Sequence, residues 1–209
     1  DSKGLHLRAK RIGVTGRTAS GKSAFASGAA RMLVERRLPA AVVSLDDYRR
    51  TDAPLSSAGG EASPAESVLR AFDFERLIAE VLAPHARGEP VRIGRAATPV
   101  PPEAALFVDG LFLLHPLVRR ALDRVIYLEV SESTSLKRVA AGTEDPEALI
   151  RIRRTALPTE RGFDELFDPK SRADFVIDTS VSLADTERQV GEVFAQLQAL
   201  AGQPIKAGF

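Results

Sequence analysis

The chain reads as a three-layer α/β fold built on a parallel sheet of five strands. Two observations predict it. Short, uniformly apolar runs alternate with segments of helical period along the chain, the pattern of strands covered on both faces by helices. The first apolar run also leads through a glycine-containing turn directly into a helix-period segment, the junction at which such sheets place ligands. A length of 209 residues fits a single domain over 1–209, and no internal repeat is visible.

Each element has its own signal. Arg11–Thr15 is the first strand, and Ser23–Arg36 is a helix because Phe25, Ala29, Met32 and Leu33 recur on one face. Ala40–Leu45 (AAVVSL) is a second strand ending in two aspartates. Arg49–Ser67, rich in Ser, Gly, Ala and Pro, reads as a loop. Phe74–Arg87 is a helix with Leu77, Val81 and Leu82 on one stripe, and Gly94–Glu103, with three prolines, is extended loop. Ala105–Asp109 and Arg124–Val130 are the third and fourth strands. Ser133–Ala141 and Pro146–Thr155 are helices, Phe175–Ile177 is a short fifth strand, and Leu183–Ala201 is the closing helix.

Composition narrows the classes. Apolar residues make up 44% and charged residues 27%, and 29 basic against 28 acidic side chains leave a net charge of +1. That balance gives no field for a nucleic-acid partner, and ten phenylalanines and two tyrosines offer few stacking platforms. With no cysteine, thiolate catalysis, disulfides and cysteine zinc sites are excluded. No apolar run reaches the ~18 residues of a membrane span, and the start, DSKGLHLRAKR, has no signal-peptide core. A cytoplasmic protein that does not engage membranes is expected.

The stretch 13-GVTGRTASGKSAF-25 matches G-x-x-x-x-G-K-[ST] at Gly16, Gly21, Lys22 and Ser23. Its glycines allow successive amides to point into one concavity, and the following helix adds uncapped N–H groups and the positive end of its dipole. Gly16, Arg17, Thr18, Ala19, Ser20, Gly21, Lys22, Ser23 and Ala24 are therefore the expected phosphate-binding residues, shaped for a nucleoside triphosphate. Lys22 would neutralise the outer phosphates, and the Ser23 hydroxyl suits a hard cation such as Mg2+.

Two further strands end in acids on the side where ligands bind, in 43-VSLDDY-48 and 106-LFVDG-110. Asp109 has the place of a carboxylate that holds Mg2+. Asp46, with Asp47 as the alternative, is positioned to take the proton of an acceptor hydroxyl. Alone, either acid is equally well a helix cap or turn former. Residues 151-RIRRTALPTER-161 gather Arg151, Arg153, Arg154 and Arg161 between the fourth and fifth strands. Such a run is commonly a solvated helix face. Here it lies where a closing lid, around 142–165, would supply a cation to the transferring group, and Arg154 is the candidate. His115 reads as a packing or capping residue.

Taken in order, GRTASGKS at 16–23, VSLDDY at 43–48, AFDFERL at 71–77, LFVDGLFLLHPLVRRALDRVIYLEV at 106–130 and FDPKSRADFVID at 167–178 resemble the uridine kinase-like group of P-loop small-molecule kinases. Relatives of that group include phosphoribulokinase and pantothenate kinase. The resemblance implies the P-loop NTPase fold with strand order 2-3-1-4-5 and a small lid. It also implies ATP and Mg2+ as cofactors, a small-molecule hydroxyl as acceptor, Asp46 on the acceptor side and Asp109 at the third strand's end. Departures are concentrated on nucleoside-reading positions. The Phe-Asp-His-Pro-like segment of uridine kinases is replaced within 63-SPAESVLRAFD-73, which has no acid at the corresponding place and Arg70 close by. The region 91-VRIGRAATPVPP-102 has neither tyrosine nor histidine.

The expected activity is transfer of the γ-phosphate of ATP to a small-molecule hydroxyl. The alternative is a degenerate kinase or regulatory NTPase that binds nucleotide without transfer. A GTPase switch and an ABC ATPase are disfavoured, since neither an Asn-Lys-x-Asp motif nor LSGGQ is present. An oligomer is compatible with this reading.

Overall fold

The computed structural model describes residues 10–50, 64–143 and 145–199. Its centre is a five-stranded sheet of β1 (Arg11–Gly16), β2 (Ala40–Ser44), β5 (Ala105–Asp109), β6 (Arg124–Glu129) and β7 (Phe175–Asp178). The spatial order is β2-β5-β1-β6-β7, and every pairing is parallel. Counting only the strands of this sheet, the order is the expected 2-3-1-4-5. The labels differ because two strands intervene, one inside Gly94–Glu103, expected as extended loop, and one in the stretch just before it, to which no element was assigned. These are β3 (Val91–Ile93) and β4 (Thr98–Val100), an antiparallel hairpin. Proline at position 99 sits in a two-stranded ribbon with free edges, where a missing N–H leaves no buried acceptor unpaired.

Side-chain alternation splits the core into two layers. On β5, Leu106 and Val108 face one cluster while Ala105 and Phe107 face the other. The second cluster is closed by α1 (Lys22–Glu35) and α10 (Leu183–Ala199), whose Leu33 and Leu197 are buried. The first is closed by α2 (Pro64–Ala71), by α3 (Phe74–Leu77) with the turn Ile78–Leu82 that leads into α4 (Ala83–Ala86), by α5 (Pro116–Arg119) and, through Phe163, by α8 (Leu157–Phe167). The helix α2 falls partly inside the segment read as loop. Its buried Ser67, Val68 and Ala71 give it a helical stripe, whereas 51–63 lie outside the described residues.

Two π-helical turns, Ile78–Leu82 and Ile152–Ala156, were not expected from the sequence. Each ends two residues before a proline, Pro84 and Pro158. A proline cannot donate to the preceding turn, and its ring presses on the carbonyl four residues back. A widened turn accommodates both problems and lets the helix continue. Hence the segment read as ending at Thr155 runs on through α7 (Pro146–Arg151) and the π turn into α8, joining α6 (Glu132–Gly142) to the short α9 (Pro169–Arg172). No helix among the described residues is long and apolar enough to cross a membrane.

Phe107 is fully buried at the centre of β5, with its ring 6.4 Å from that of Phe194 on α10. Phe107→Ala is expected to lower the unfolding free energy by about 3–5 kcal/mol, measured by urea denaturation. A loss below about 1 kcal/mol would contradict this account of the core.

Candidate functional site

Parallel register brings three strand ends together. Val14 on β1 and Ser44 on β2 both stand opposite Asp109, the last residue of β5. From this rim the chain turns at Gly16 into the phosphate-type loop. At Gly16 φ is 146°, and an added Cβ would lie 2.3 Å from the Leu128 carbonyl oxygen of β6. No side chain fits there. Ala19 (φ 57°) and Gly21 (φ 92°) are left-handed, and the Ser20 amide donates to the Arg17 carbonyl at 3.1 Å. Alternation of this kind curls successive amides into a nest. The 14-residue α1 follows with no side-chain cap and no acid in its first turn, so its leading amides are open.

Lys22 is half-buried and its Nζ donates to the Arg17 carbonyl at 2.8 Å. Burial lowers its pKa, and the charges of Glu160, Asp109 and Asp46 oppose that shift. Ser23 Oγ donates to Asp109 Oδ2 at 2.6 Å, while Asp109 Oδ1 is buried without a hydrogen-bond partner. Burial raises the Asp109 pKa, and the Ser23 bond and Lys22 pull it back down. An acceptor atom left unpaired at the loop's edge is what a hard cation would satisfy, so the residues present fit Mg2+. Among the described residues no cluster of three or more acids or histidines could hold a metal. Ser23 and Asp109 would share a cation with oxygen ligands from phosphate and water.

The geometry separates the two neighbouring aspartates. Asp46 is exposed on a 3-10 turn, Leu45–Tyr48, and its charge acts on both Lys22 and Asp109. Asp47 faces the hairpin instead, its Oδ2 standing 3.9 Å from where a Cβ on Gly94 would be. The Asp47 carbonyl accepts from Arg76. Only Asp46 joins the electrostatic group at the loop.

The arginine-rich segment arrives differently from expectation. Arg153 and Arg154 are exposed on the π turn, and among the described residues neither makes a hydrogen bond or ion pair to the loop. What reaches the loop is the next turn of α8. Glu160, 3% exposed, accepts from the Thr18 amide at 3.3 Å and from the Thr18 hydroxyl. Asp164 binds the Arg17 guanidinium at 2.6 and 3.1 Å. Glu132 on α6 pairs with both Arg161 and Arg17, and Ser135 Oγ donates to the Thr18 carbonyl at 2.6 Å. Glu160 and Asp164 stand in a run whose charge points to its cations. The signal was there: in Leu157, Glu160, Phe163 and Phe167 an acid interrupts an apolar helical stripe.

Beside the loop a groove of about 720 Å³ opens between α1 and α10, bordered by Gly21, Ala24, Phe25, Arg138, Thr179 and Phe194. Arg138 donates to the Ala19 and Thr179 carbonyls, tying the loop to the end of β7. His115 caps α5 by accepting from the Leu117 amide at 3.2 Å. Its ring packs between Phe74 and Phe167, and burial lowers its pKa. It has a packing and capping place, as expected. Arg70 is exposed on α2.

No protein-family model matches the chain, and no curated protein does. Solved structures do. The chain is similar to a candidate uridine kinase from Bacillus stearothermophilus, at 20% identity over 79% of this chain and 86% of that one, with a TM-score of 0.54. It is also similar to a candidate fructose transport system kinase from Silicibacter sp. TM1040. There the identity is 21% over 84% of this chain and 92% of that one, with a TM-score of 0.56. At such identities the likeness is one of fold, a parallel α/β sheet flanked by helices.

Gly16→Ala places a methyl group against a backbone oxygen that has no rotamer to escape by. The substitution is expected to cost at least about 2 kcal/mol of stability, read as a lower melting temperature. Wild-type melting would refute the steric argument.

Proposed function

We propose that the protein is a phosphotransferase that moves the γ-phosphate of ATP to a hydroxyl of a small molecule. The observation that carries this reading is the convergence of Lys22, Asp109 and Asp46 on one uncapped, left-handed loop at the carboxyl edge of a parallel sheet. The base would occupy the groove bordered by Ala24, Arg138 and Thr179, and the phosphates would lie along the loop amides. Lys22 would exchange its bond to the Arg17 carbonyl for the outer phosphate oxygens.

Ser23 and Asp109 would hold Mg2+, whose positive charge lowers the barrier by neutralising the phosphates. Asp46 accepts the proton of the acceptor hydroxyl as that oxygen bonds to the γ-phosphorus and the bond to the β–γ bridging oxygen breaks, releasing ADP. Most of the acceleration comes from positioning and charge neutralisation, because the transition state is loose. A cytoplasmic setting, with ATP and Mg2+ at hand, belongs to this reading. The acceptor is a small hydroxyl compound of uridine kinase-like type, with nucleosides and sugars the first to test.

Lys22→Ala is expected to abolish triphosphate binding. Asp46→Asn is expected to keep nucleotide affinity while turnover falls by at least about 10²-fold. Both are measured by calorimetry and ADP release over a panel of nucleosides, sugars and pantothenate-like alcohols. Undiminished turnover in Asp46→Asn would remove the proposed base. Slow ATP hydrolysis with no transfer to any acceptor would favour a nucleotide-binding protein without transferase activity.

A further inference from the structure

A carboxylate withdrawn from water must recover its lost hydration from the protein. Glu160 is 3% exposed and has no ion pair among the described residues. It recovers hydration from the phosphate loop, through the amide and hydroxyl of Thr18. Burial raises its pKa, and Thr18, Lys22 and Arg17 oppose that rise. An anionic oxygen seated on a nest amide beside the loop lysine has the chemistry of a phosphate oxygen. The Lys22 ammonium also feels Asp46, on the acceptor side of the site. Thr18 is two residues from the end of β1 and the open amides of α1 lie at the loop's other end, so on the phosphate-site reading Glu160 holds the outer-phosphate end.

The contact is part of a brace. On α8, Asp164 grips Arg17, and Arg161 grips Glu132 of α6, which reaches Arg17 as well. Ser135, also on α6, holds the Thr18 carbonyl. The Arg17–Thr18 segment is thus fastened on both sides by elements that follow β6, and α8 begins directly after a π-helical turn, a register at which helices bend.

We infer that α8 is a latch on the phosphate loop, with the Glu160 carboxylate holding the place of the terminal phosphate until a triphosphate displaces it. The inference rests on the phosphate-site reading above and adds a discrimination. A nucleoside diphosphate uses the α1 end of the loop and leaves the latch closed. The third phosphate of a triphosphate meets Glu160 and must expel it, because like charges held together in a partly desolvated site repel strongly. Release of Glu160 frees α8 from the loop, so that occupancy by triphosphate is communicated to the segment between β6 and β7.

The test is calorimetric titration of the full chain, with Mg2+ present, by ATP and by ADP, for wild type, Glu160→Gln and Glu160→Ala. The Gln variant keeps the size and a Thr18 acceptor but removes the charge. Both variants are expected to bind ATP at least about tenfold more tightly, with ADP affinity changed by less than about twofold. Hydrogen exchange of the wild type supplies a measurement free of any substitution, and faster exchange at 157–167 with ATP but not ADP is the expected result. Equal gains for both nucleotides, unchanged or weaker ATP binding in both variants, or exchange at α8 that ignores ATP would overturn the latch and leave the phosphate site standing. Failure of wild type and variants alike to bind either nucleotide would overturn the phosphate site and the latch with it.

Discussion

The site depends on how closely the end of β1 approaches β6. Gly16 lies so near the Leu128 carbonyl that no side chain can intervene, and this approach sets where the following loop can run. From there the left-handed residues Ala19 and Gly21 bring the chain round to α1, with Ser23 delivered to Asp109 of the neighbouring strand. Pairing between β1, β2 and β5 does the rest, since it puts Ser44 and Asp109 level and leaves Asp46 just beyond the rim. Backbone packing therefore places the polar groups before any of them interacts. Replacing a polar group should change chemistry more than shape, whereas replacing Gly16 should change both.

Much of this was legible in the sequence for a physical reason. Strands buried on both faces carry uninterrupted apolar runs, so β1, β2, β5, β6 and β7 were each found within a few residues. The glycine-lysine-serine spacing is a backbone requirement, and backbone requirements are local. The misses were non-local. The β3–β4 hairpin was hidden by prolines, which exclude a central strand but not a ribbon with free edges. In α2, Ser67 and Ala71 are buried and α8 packs against the helix, whereas Ser67 closes the stretch whose Ser-, Gly-, Ala- and Pro-rich composition reads as loop.

The candidate site divides along the same line. Lys22, Ser23, Asp109 and Asp46 belong to strand-and-loop junctions and could be placed by counting along the chain. Arg154 could not be placed in that way, because a π turn shifts the face that the arginine-rich helix presents. After that shift it is Glu160 and Asp164 that meet the loop. A cluster of four arginines drew attention by its charge, whereas the acids that do reach the loop were marked by their place within an apolar stripe. Position relative to the buried face was the better guide.

The electrostatics of the site follow from that substitution of acids for cations. Around Lys22 stand Asp46, Asp109 and Glu160, and burial raises the pKa of both Asp109 and Glu160. One ammonium against three acids leaves a local deficit of positive charge in a protein whose net charge is only +1. Such a field repels a bare polyphosphate and attracts a divalent cation. On the proposed function the two arrive together. The cation meets the unpaired Asp109 oxygen, and the phosphates take the loop amides and Lys22. Neither ligand suits the site as well alone, because the metal without phosphate lacks oxygen ligands and the phosphate without metal faces the acids. On the proposed function, the acid excess that looks unfavourable for a phosphate site would therefore make it selective for the metal complex.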